Sequence, residues 1–383
     1  MKNNALNVAI VTNVVPSYRE GFYDRLFSRD DVSVRVYCQP EIPGVNLRTI
    51  HDKYPDRVTL VKCVSMRGER LAWQFIPWRT VMSTADVVFV DGNPRVLSHA
   101  LLATALRLLR RPVVLWAGAH SHRNNVFSES VRLLWSRMFD CLFVYTDAEV
   151  SRLRERRFDR QQIVGMNNGL DQRRIDATIA QWPEARLDAW RTAENLSGRR
   201  VLLTCARLDP KNQFRLLAEA LPSIRDHAPD VVWAAIGDGP ERKELETIVR
   251  DGGLAGHVRF VGEMYEESEL APWFLSSTLF VHPAAIGLSL LHAFGYGLPV
   301  VTHGNRDAHS PEFAAFESGL TGRTFTPGDV RGLADTVNGL LEDGAARARM
   351  RDYVQGIARN KYNVDVMAER FVQMARSAAR GRA

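Results

Sequence analysis

Short, unbroken apolar runs alternate with helix-patterned segments along the whole of the 383-residue chain. In the first half the runs are Val8–Thr12, Val32–Cys38, Val58–Val64, Val87–Asp91, Val113–Trp116 and Cys141–Tyr145, with helical spacing at Gly21–Ser28, Leu97–Leu109 and Glu129–Phe139. In the second half they are Val201–Cys205, Val231–Ile236, Val258–Val261, Leu279–His282 and Pro299–Thr302. Helices there are expected at Asn212–Asp226, Pro240–Asp251, Ser268–Leu275, Leu290–Gly297, Val330–Asp343 and Val364–Arg376. A strand apolar on both faces needs cover on both faces, and parallel sheets flanked by helices supply it. The pattern therefore predicts an α/β chain.

The rhythm breaks once, over the polar stretch Asp176–Arg200. That stretch is read as the interdomain region. It separates residues 1–180 from residues 181–360, two Rossmann-like, doubly wound domains facing a cleft. In such sheets ligands bind beyond the carboxyl ends of the strands.

Composition narrows the class. Hydrophobic residues make up 45% and charged residues 25%, a globular balance. No apolar stretch is long enough to span a bilayer. Met1-Lys2-Asn3-Asn4 leads straight into a strand with no signal-peptide pattern, so a cytoplasmic protein is expected. The cysteines, Cys38, Cys63, Cys141 and Cys205, show no metal-ligand spacing and read as reduced thiols. Residues 1–175 carry 26 Lys and Arg against 17 Asp and Glu, whereas the remainder carries 24 against 27. The basic half can meet an anionic membrane, an anionic acceptor or nucleic acid. Nucleic acid is set aside, because no aromatic interleaving or known binding module accompanies the charge.

The second half holds the densest chemistry. Thr204-Cys205-Ala206-Arg207-Leu208-Asp209-Pro210-Lys211-Asn212 follows a strand and opens a helix. Arg207 and Lys211, four residues apart, can converge on one anion above the helix amides; two surface cations on a loop is the equal alternative. Ile236-Gly237-Asp238-Gly239-Pro240 reads first as a structural turn. Val258-Arg259-Phe260-Val261-Gly262 could turn backbone groups toward a nucleobase. From Pro283 to Val301, a strand ends, Gly287 permits close backbone approach, a helix starts at Leu288-Ser289-Leu290-Leu291-His292, and Gly297-Leu298-Pro299 ends it.

In this order the segments resemble the donor half of the family 4 retaining glycosyltransferases of GT-B fold, also called glycosyltransferase group 1. Those proteins show an Arg-Leu…Lys loop, a Gly-Asp-Gly-Pro turn, a Phe-x-Gly loop, a Gly-Phe-Gly-Leu-x-x-x-Glu-Ala segment and a Gly-x-Pro-Val-Val strand. The resemblance is strong over about the last half of the chain. It implies that Arg207 and Lys211 neutralise the diphosphate of a UDP- or GDP-sugar, with no separate cofactor and no metal. It implies donor contacts from Phe260, Gly262 and the amides of Gly287, Leu288, Ser289, Leu290 and Leu291. Glu312, in Ser310-Pro311-Glu312, matches an element near the sugar and diphosphate. The family's two loop glutamates are replaced by Ala284, which cannot reach a sugar hydroxyl, and by His292, for which a ribose contact is favoured over a structural role. The resemblance also sends the last segment, residues 361–383, back as a helix onto the first domain.

In the first half, Asn13 to Gly21 resembles the family's N-terminal loop. Gly21 opens a helix and could approach the donor phosphates, and Tyr18 and Arg19 are candidates for the acceptor, with a plain turn equally open. Asn93, in Asp91-Gly92-Asn93-Pro94, is a further acceptor candidate. A histidine after the Val113–Trp116 strand resembles the family's active-site histidine; His120 is the first choice and His122 competes. Arg107-Leu108-Leu109-Arg110-Arg111 and Ser151–Arg160 are strongly basic and read either as solvated faces or as contacts with anionic lipid or a lipid-diphosphate acceptor. The expected partners are a nucleotide-sugar donor, a sugar or lipid-linked acceptor and the inner membrane face. The expected reaction is transfer to an acceptor hydroxyl with retention. A catalytically silent sugar-nucleotide-binding homologue is the other reading.

Overall fold

The computed structural model describes residues 5–42, 48–66, 71–93, 95–117 and 126–381, with the backbone alone at 126–129 and 131. The chain forms two compact units, Met1–Asn168 with Val364–Ala383, and Gly169–Asn363.

The first unit contains β1 (Leu6–Val11), β2 (Val32–Cys38), β3 (Val58–Leu60), β4 (Cys63–Met66), β5 (Leu71–Gln74), β6 (Val87–Asp91), β7 (Val113–Trp116), β8 (Cys141–Val144) and β9 (Gln162–Gly165). Seven of them form a parallel sheet in the order β3-β2-β1-β6-β7-β8-β9. The apolar run Val58–Val64 is not one strand. It breaks at Lys62, whose carbonyl accepts the Phe75 N–H at 2.9 Å, and β4 turns away to pair antiparallel with β5. The helix Val364–Arg380 completes the core of this unit. Its Phe371 stacks on Phe89 at 4.1 Å between ring centroids and meets Phe22 and Phe143 edge-on. Arg370 reaches both carboxylate oxygens of Asp147 and the Gly165 carbonyl.

The second unit contains β10 (Arg200–Cys205), β11 (Val231–Ile236), β12 (Val258–Gly262), β13 (Ser277–His282), β14 (Val300–His303) and β15 (Gly322–Phe325), in the parallel order β12-β11-β10-β13-β14-β15. Every residue of β11, Val-Val-Trp-Ala-Ala-Ile, is buried, as a central strand covered on both faces requires.

The stretch expected to separate the domains instead belongs to the second unit. It holds the end of helix Gln172–Ile179 and all of helix Glu184–Ala193. Trp190 packs edge-on against both Trp182 and Trp273, the latter at 4.9 Å. The charges on the exposed face hide these anchors when polarity alone is read along the chain. The division falls at 168/169, ahead of the 180/181 expectation. There Gly169 lies so close to Tyr362 and Asn363 that a Cβ would meet their backbone at 2.2–2.3 Å, so the segments at both ends of the second unit run side by side.

Candidate functional site

The order of strands in the second sheet reverses between β10 and β13, so the segments leaving their carboxyl ends diverge. Residues 206–212 follow β10 and residues 283–287 follow β13.

The β10 segment is built against the Gly-Asp-Gly turn. The Ala206 N–H donates to the Ile236 carbonyl at 3.0 Å, the Leu208 N–H to the Asp238 carbonyl at 3.0 Å, and the Glu241 N–H to the Leu208 carbonyl at 3.1 Å. A Cβ on Gly237 or Gly239 would lie 2.2 Å from the carbonyl oxygen of Ala206 or Leu208. Both glycines are therefore required by close backbone approach. Asn212 donates from Nδ2 to the Arg207 carbonyl at 2.7 Å, and the Asp209 carboxylate accepts the Lys211 N–H at 3.2 Å. The backbone of both cationic residues is thus fixed. Their side chains are exposed and, among the described residues, form no ion pair. They lie on the segment that links β10 to helix Phe214–His227, Arg207 two residues past the strand end and Lys211 in the turn Pro210–Asn212. Gly262, at φ 94°, accepts the Gly237 N–H at 2.7 Å, which ties the β12 end to the same turn. The Phe260 ring packs on Trp233 and beneath the Arg242 guanidinium.

The β13 segment is held by residues that the sequence did not single out. The Ile286 N–H donates to His309 Nδ1 at 3.1 Å, and His309 Nε2 bonds the His303 carbonyl at 2.9 Å. That pairing fixes a neutral imidazole with its proton on Nε2. His303, His309, Phe313 and Phe316 stack ring on ring. Gly287 is the N-cap of helix Leu288–Gly295. A side chain starting there would lie 3.1 Å from Ser310 Oγ and 3.8 Å from a carboxylate oxygen of the buried Glu312. Gly287, Ser310 and Glu312 therefore share one corner. Leu290 and Leu291 bury their side chains in the core, and the Leu290 N–H turns back to the Gly287 carbonyl at 3.0 Å. The first amides of a helix lack an intrahelical partner, and here these include Leu288 and Ser289. Ala284 is buried, and its carbonyl accepts from His282 Nδ1 and Thr302 Oγ1.

His292 is joined through Nε2 to Glu267 at 2.8 Å, and Tyr296 donates its hydroxyl to the same carboxylate oxygen at 2.5 Å. Burial favours the neutral acid at Glu267, but His292, the Tyr296 hydroxyl and the charge of Arg174 together outweigh it and leave the carboxyl below its ordinary value. His292 thus presents a carboxylate-anchored imidazole. Glu267 lies 25 positions away, on helix Glu267–Leu275, with no local sequence signal connecting the two.

In the first unit the sheet order reverses between β1 and β6. Asp91, the last residue of β6, accepts from Asn13 Nδ2 at 2.7 Å and from the Asn93 N–H at 3.1 Å. Burial pushes its carboxyl up to about 6, against the Asn93 hydrogen bond and the charge of Arg19. The Asn93 side chain accepts the Arg95 N–H, Tyr18 is exposed, and the Arg19 guanidinium lies over the rings of Trp116 and Tyr145. Gly21 is the second residue of helix Glu20–Phe27. The structure thus brings Arg19 and Asp91 together in one electrostatic neighbourhood. Asp91, read in the sequence only as a strand end, is the perturbed acid. His120 and His122 lie outside the described residues.

Two units of this topology define the GT-B fold, and known structures share it over the whole chain. The Anabaena protein Alr3699/HepE, crystallised with UDP, superposes with a TM-score of 0.70 at 18% identity, over 97% of this chain and 100% of that one. A glycosyltransferase from Rickettsia africae does so at 0.72 and 14%, over 98% and 99%. Residues 199–343 match the family model described as Glycosyl transferases group 1, which places the segments after β10 to β15 within that domain. The GDP-mannose-dependent alpha-(1-6)-phosphatidylinositol monomannoside mannosyltransferase of Mycolicibacterium smegmatis is 30% identical over 178 residues, 44% of this chain and 45% of that protein. The lipopolysaccharide core biosynthesis glycosyltransferase LpsE of Rhizobium meliloti is 23% identical over 249 residues, 64% and 67% of the two chains. The similarity spans about half the length of the first of these relatives.

Proposed function

We propose that the chain is a retaining, metal-independent glycosyltransferase that moves a sugar from a UDP- or GDP-sugar to a sugar or lipid-linked acceptor hydroxyl, in bacterial surface polysaccharide or glycolipid assembly at the inner membrane face. The observation that carries this reading is the pair Arg207 and Lys211, whose backbone is fixed at the switch point and whose side chains form no ion pair among the described residues. As the glycosidic C–O bond breaks, negative charge collects on the departing diphosphate. Cations fixed where that charge forms stabilise the transition state more than the ground state. The Leu288 and Ser289 amides add hydrogen-bond donors at a helix start. Glu312 lies beside Gly287 and is assigned to the hydroxyls of the transferred sugar. His292, steadied by Glu267, is assigned to the ribose. Tyr18, Arg19 and Asn93 are assigned to the acceptor. The UDP-bound neighbour and the sugar-nucleotide activities named for the relatives support this choice of donor class.

The test is a screen of UDP- and GDP-sugars for thermal stabilisation, followed by transfer assays on wild type, Arg207→Ala and Lys211→Ala. Each variant should lower kcat/KM by about 10²–10³-fold, the range for removing one preorganised charge-stabilising donor. Unchanged binding and turnover in both would overturn the assignment. Donor binding without transfer or hydrolysis in wild type would favour the catalytically silent reading.

A further inference from the structure

The basic helices of the first unit converge on one end of its sheet, the end opposite the strands' carboxyl termini. A cavity of about 410 Å³ opens there, at the first residues of β7, β8 and β9 and the end of helix Val364–Arg380. Four arginines, Arg107, Arg110, Arg111 and Arg160, line it against one carboxylate, Asp140. Arg107 is anchored on the Met138 carbonyl at 2.7 Å and on Asp140 at 3.3 Å, and Arg111 on the carbonyls of Met82 and Ala85. Arg110 and Arg160 are exposed and form no ion pair among the described residues. Next to them, Arg137 donates to the Arg156 carbonyl at 2.8 Å, so the ends of helices Val126–Ser136 and Asp147–Glu155 adjoin on the same face.

Large apolar side chains stand exposed among these arginines. Leu108 and Leu134 are 73% and 70% exposed, and Leu101, Leu109 and Met138 are exposed as well. Leu101 and Leu108 are two turns apart on helix Leu97–Leu108. That helix lies against Val126–Ser136, as the Arg107 bond to Met138 and the Trp135 bond to Thr104 show. The five side chains therefore flank a single helix pair. Helices Leu97–Leu108 and Asp147–Glu155 each close with an arginine in the left-handed region, Arg110 at φ 53° and Arg157 at φ 60°, where glycine is favoured. The chain thus carries cationic side chains even at positions whose backbone prefers none.

We infer that this end of the first unit docks on an anionic lipid bilayer, with Leu101, Leu108, Leu109, Leu134 and Met138 entering the headgroup boundary and the arginine-lined cavity receiving lipid phosphate. Charge complementarity selects this occupant. Exposed leucines alone would suit any apolar partner, but leucines beside Arg110 and Arg160, which form no ion pair among the described residues, fit a surface that is apolar below and anionic above. Among the described residues no helix is long and apolar enough to cross the membrane. The inference gives the membrane contact of the proposed function a location, yet its readout needs neither donor nor turnover.

The experiment is co-sedimentation of the full chain with vesicles of phosphatidylcholine alone or containing about one-third phosphatidylglycerol. Wild type should pellet with the anionic vesicles and be released by high salt. Arg110→Gln with Arg160→Gln should weaken partitioning by roughly 25-fold, about fivefold for each charge near the surface. Leu108→Ser with Leu109→Ser should weaken it at least ~10-fold. Melting temperature and donor binding should not change in either variant, because neither pair touches the donor segments. Three results overturn the inference: no pelleting with anionic vesicles, equal pelleting with neutral ones, or variants that bind like wild type. Concentration-dependent dimerisation abolished by the leucine variant, without vesicle binding, would assign the surface to a second copy instead.

Discussion

Gly239→Ala tests whether the Gly-Asp-Gly turn places Arg207. The new Cβ would sit 2.2 Å from the Leu208 oxygen and 2.7 Å from its carbon. Carbon–oxygen contacts settle near ~3.3 Å, so the segment must retreat by about 1 Å. That shift strains two hydrogen bonds made by one residue, the Leu208 N–H to Asp238 and the Glu241 N–H to the Leu208 carbonyl. Their loss costs about 1 kcal/mol each. For a unit of this size the melting temperature should fall by roughly 4–8 °C. The effect on chemistry should be larger. Arg207 lies one residue before Leu208, and displacing a positioned group by about 1 Å lowers kcat/KM by on the order of 100-fold. Gly256→Ala is the control, since nothing lies within 4 Å of a Cβ there and its φ is ordinary. The assay pairs sugar transfer with thermal melting. If Gly239→Ala keeps wild-type kcat/KM within about threefold, the backbone contact is not what positions the cation.

Three further outcomes follow from the same structure. Asp91 has its carboxyl raised from 3.8 to about 6, so the folded state holds a proton that the unfolded chain has released between those values. Its contribution to stability therefore declines as pH rises from about 4 to 6, by up to roughly 3 kcal/mol, and Asp91→Asn should flatten that part of a pH series of urea unfolding curves. Glu267 is shifted the other way, so its bonds to His292 and Tyr296 stabilise above the ordinary carboxylate range and fade as pH falls through its lowered value; Glu267→Gln should lose about 2 kcal/mol at neutral pH and little in acid, measured by the same unfolding series. Phe371→Ala empties a ring site enclosed by Phe22, Phe89 and Phe143 and should cost about 3–5 kcal/mol, read from calorimetry as a selective loss in the first unit.

Much of the architecture was legible because a buried parallel strand announces itself locally. Val231–Ile236 was expected and found with the same limits, since six consecutive apolar residues allow little else. Where one element joins another the signal weakened. Val58–Val64 looked continuous, yet Lys62 divides it between two sheets. The polar stretch before β10 concealed two helices, because Trp182, Trp190 and Leu187 are thinly spread among charges that face outward. β9, β15 and helix Gly344–Asn360 were also missed, the first two being edge strands that mix glycine and polar residues with few apolar ones.

The candidate site divides along the same line. Arg207, Lys211 and Gly287 could be named from order and spacing, because a switch-point segment needs a strand end, a close backbone approach and a helix start within a few consecutive residues, and all three are local; Glu312 was named only through the family resemblance. What holds those groups is remote. Glu267 reaches His292 across 25 positions, His309 reaches Ile286 across 23, and Asn13 meets Asp91 across 78. Hydrogen-bond partners that distant leave no periodicity to read, and burial, which raises Asp91, belongs to the packed chain alone. The alternation of apolar runs was enough to set two doubly wound sheets and their switch points. Which carboxylate steadies which imidazole, and which charges remain unpaired, was decided only when the helices closed over those sheets, because proximity between separate elements is a property of packing.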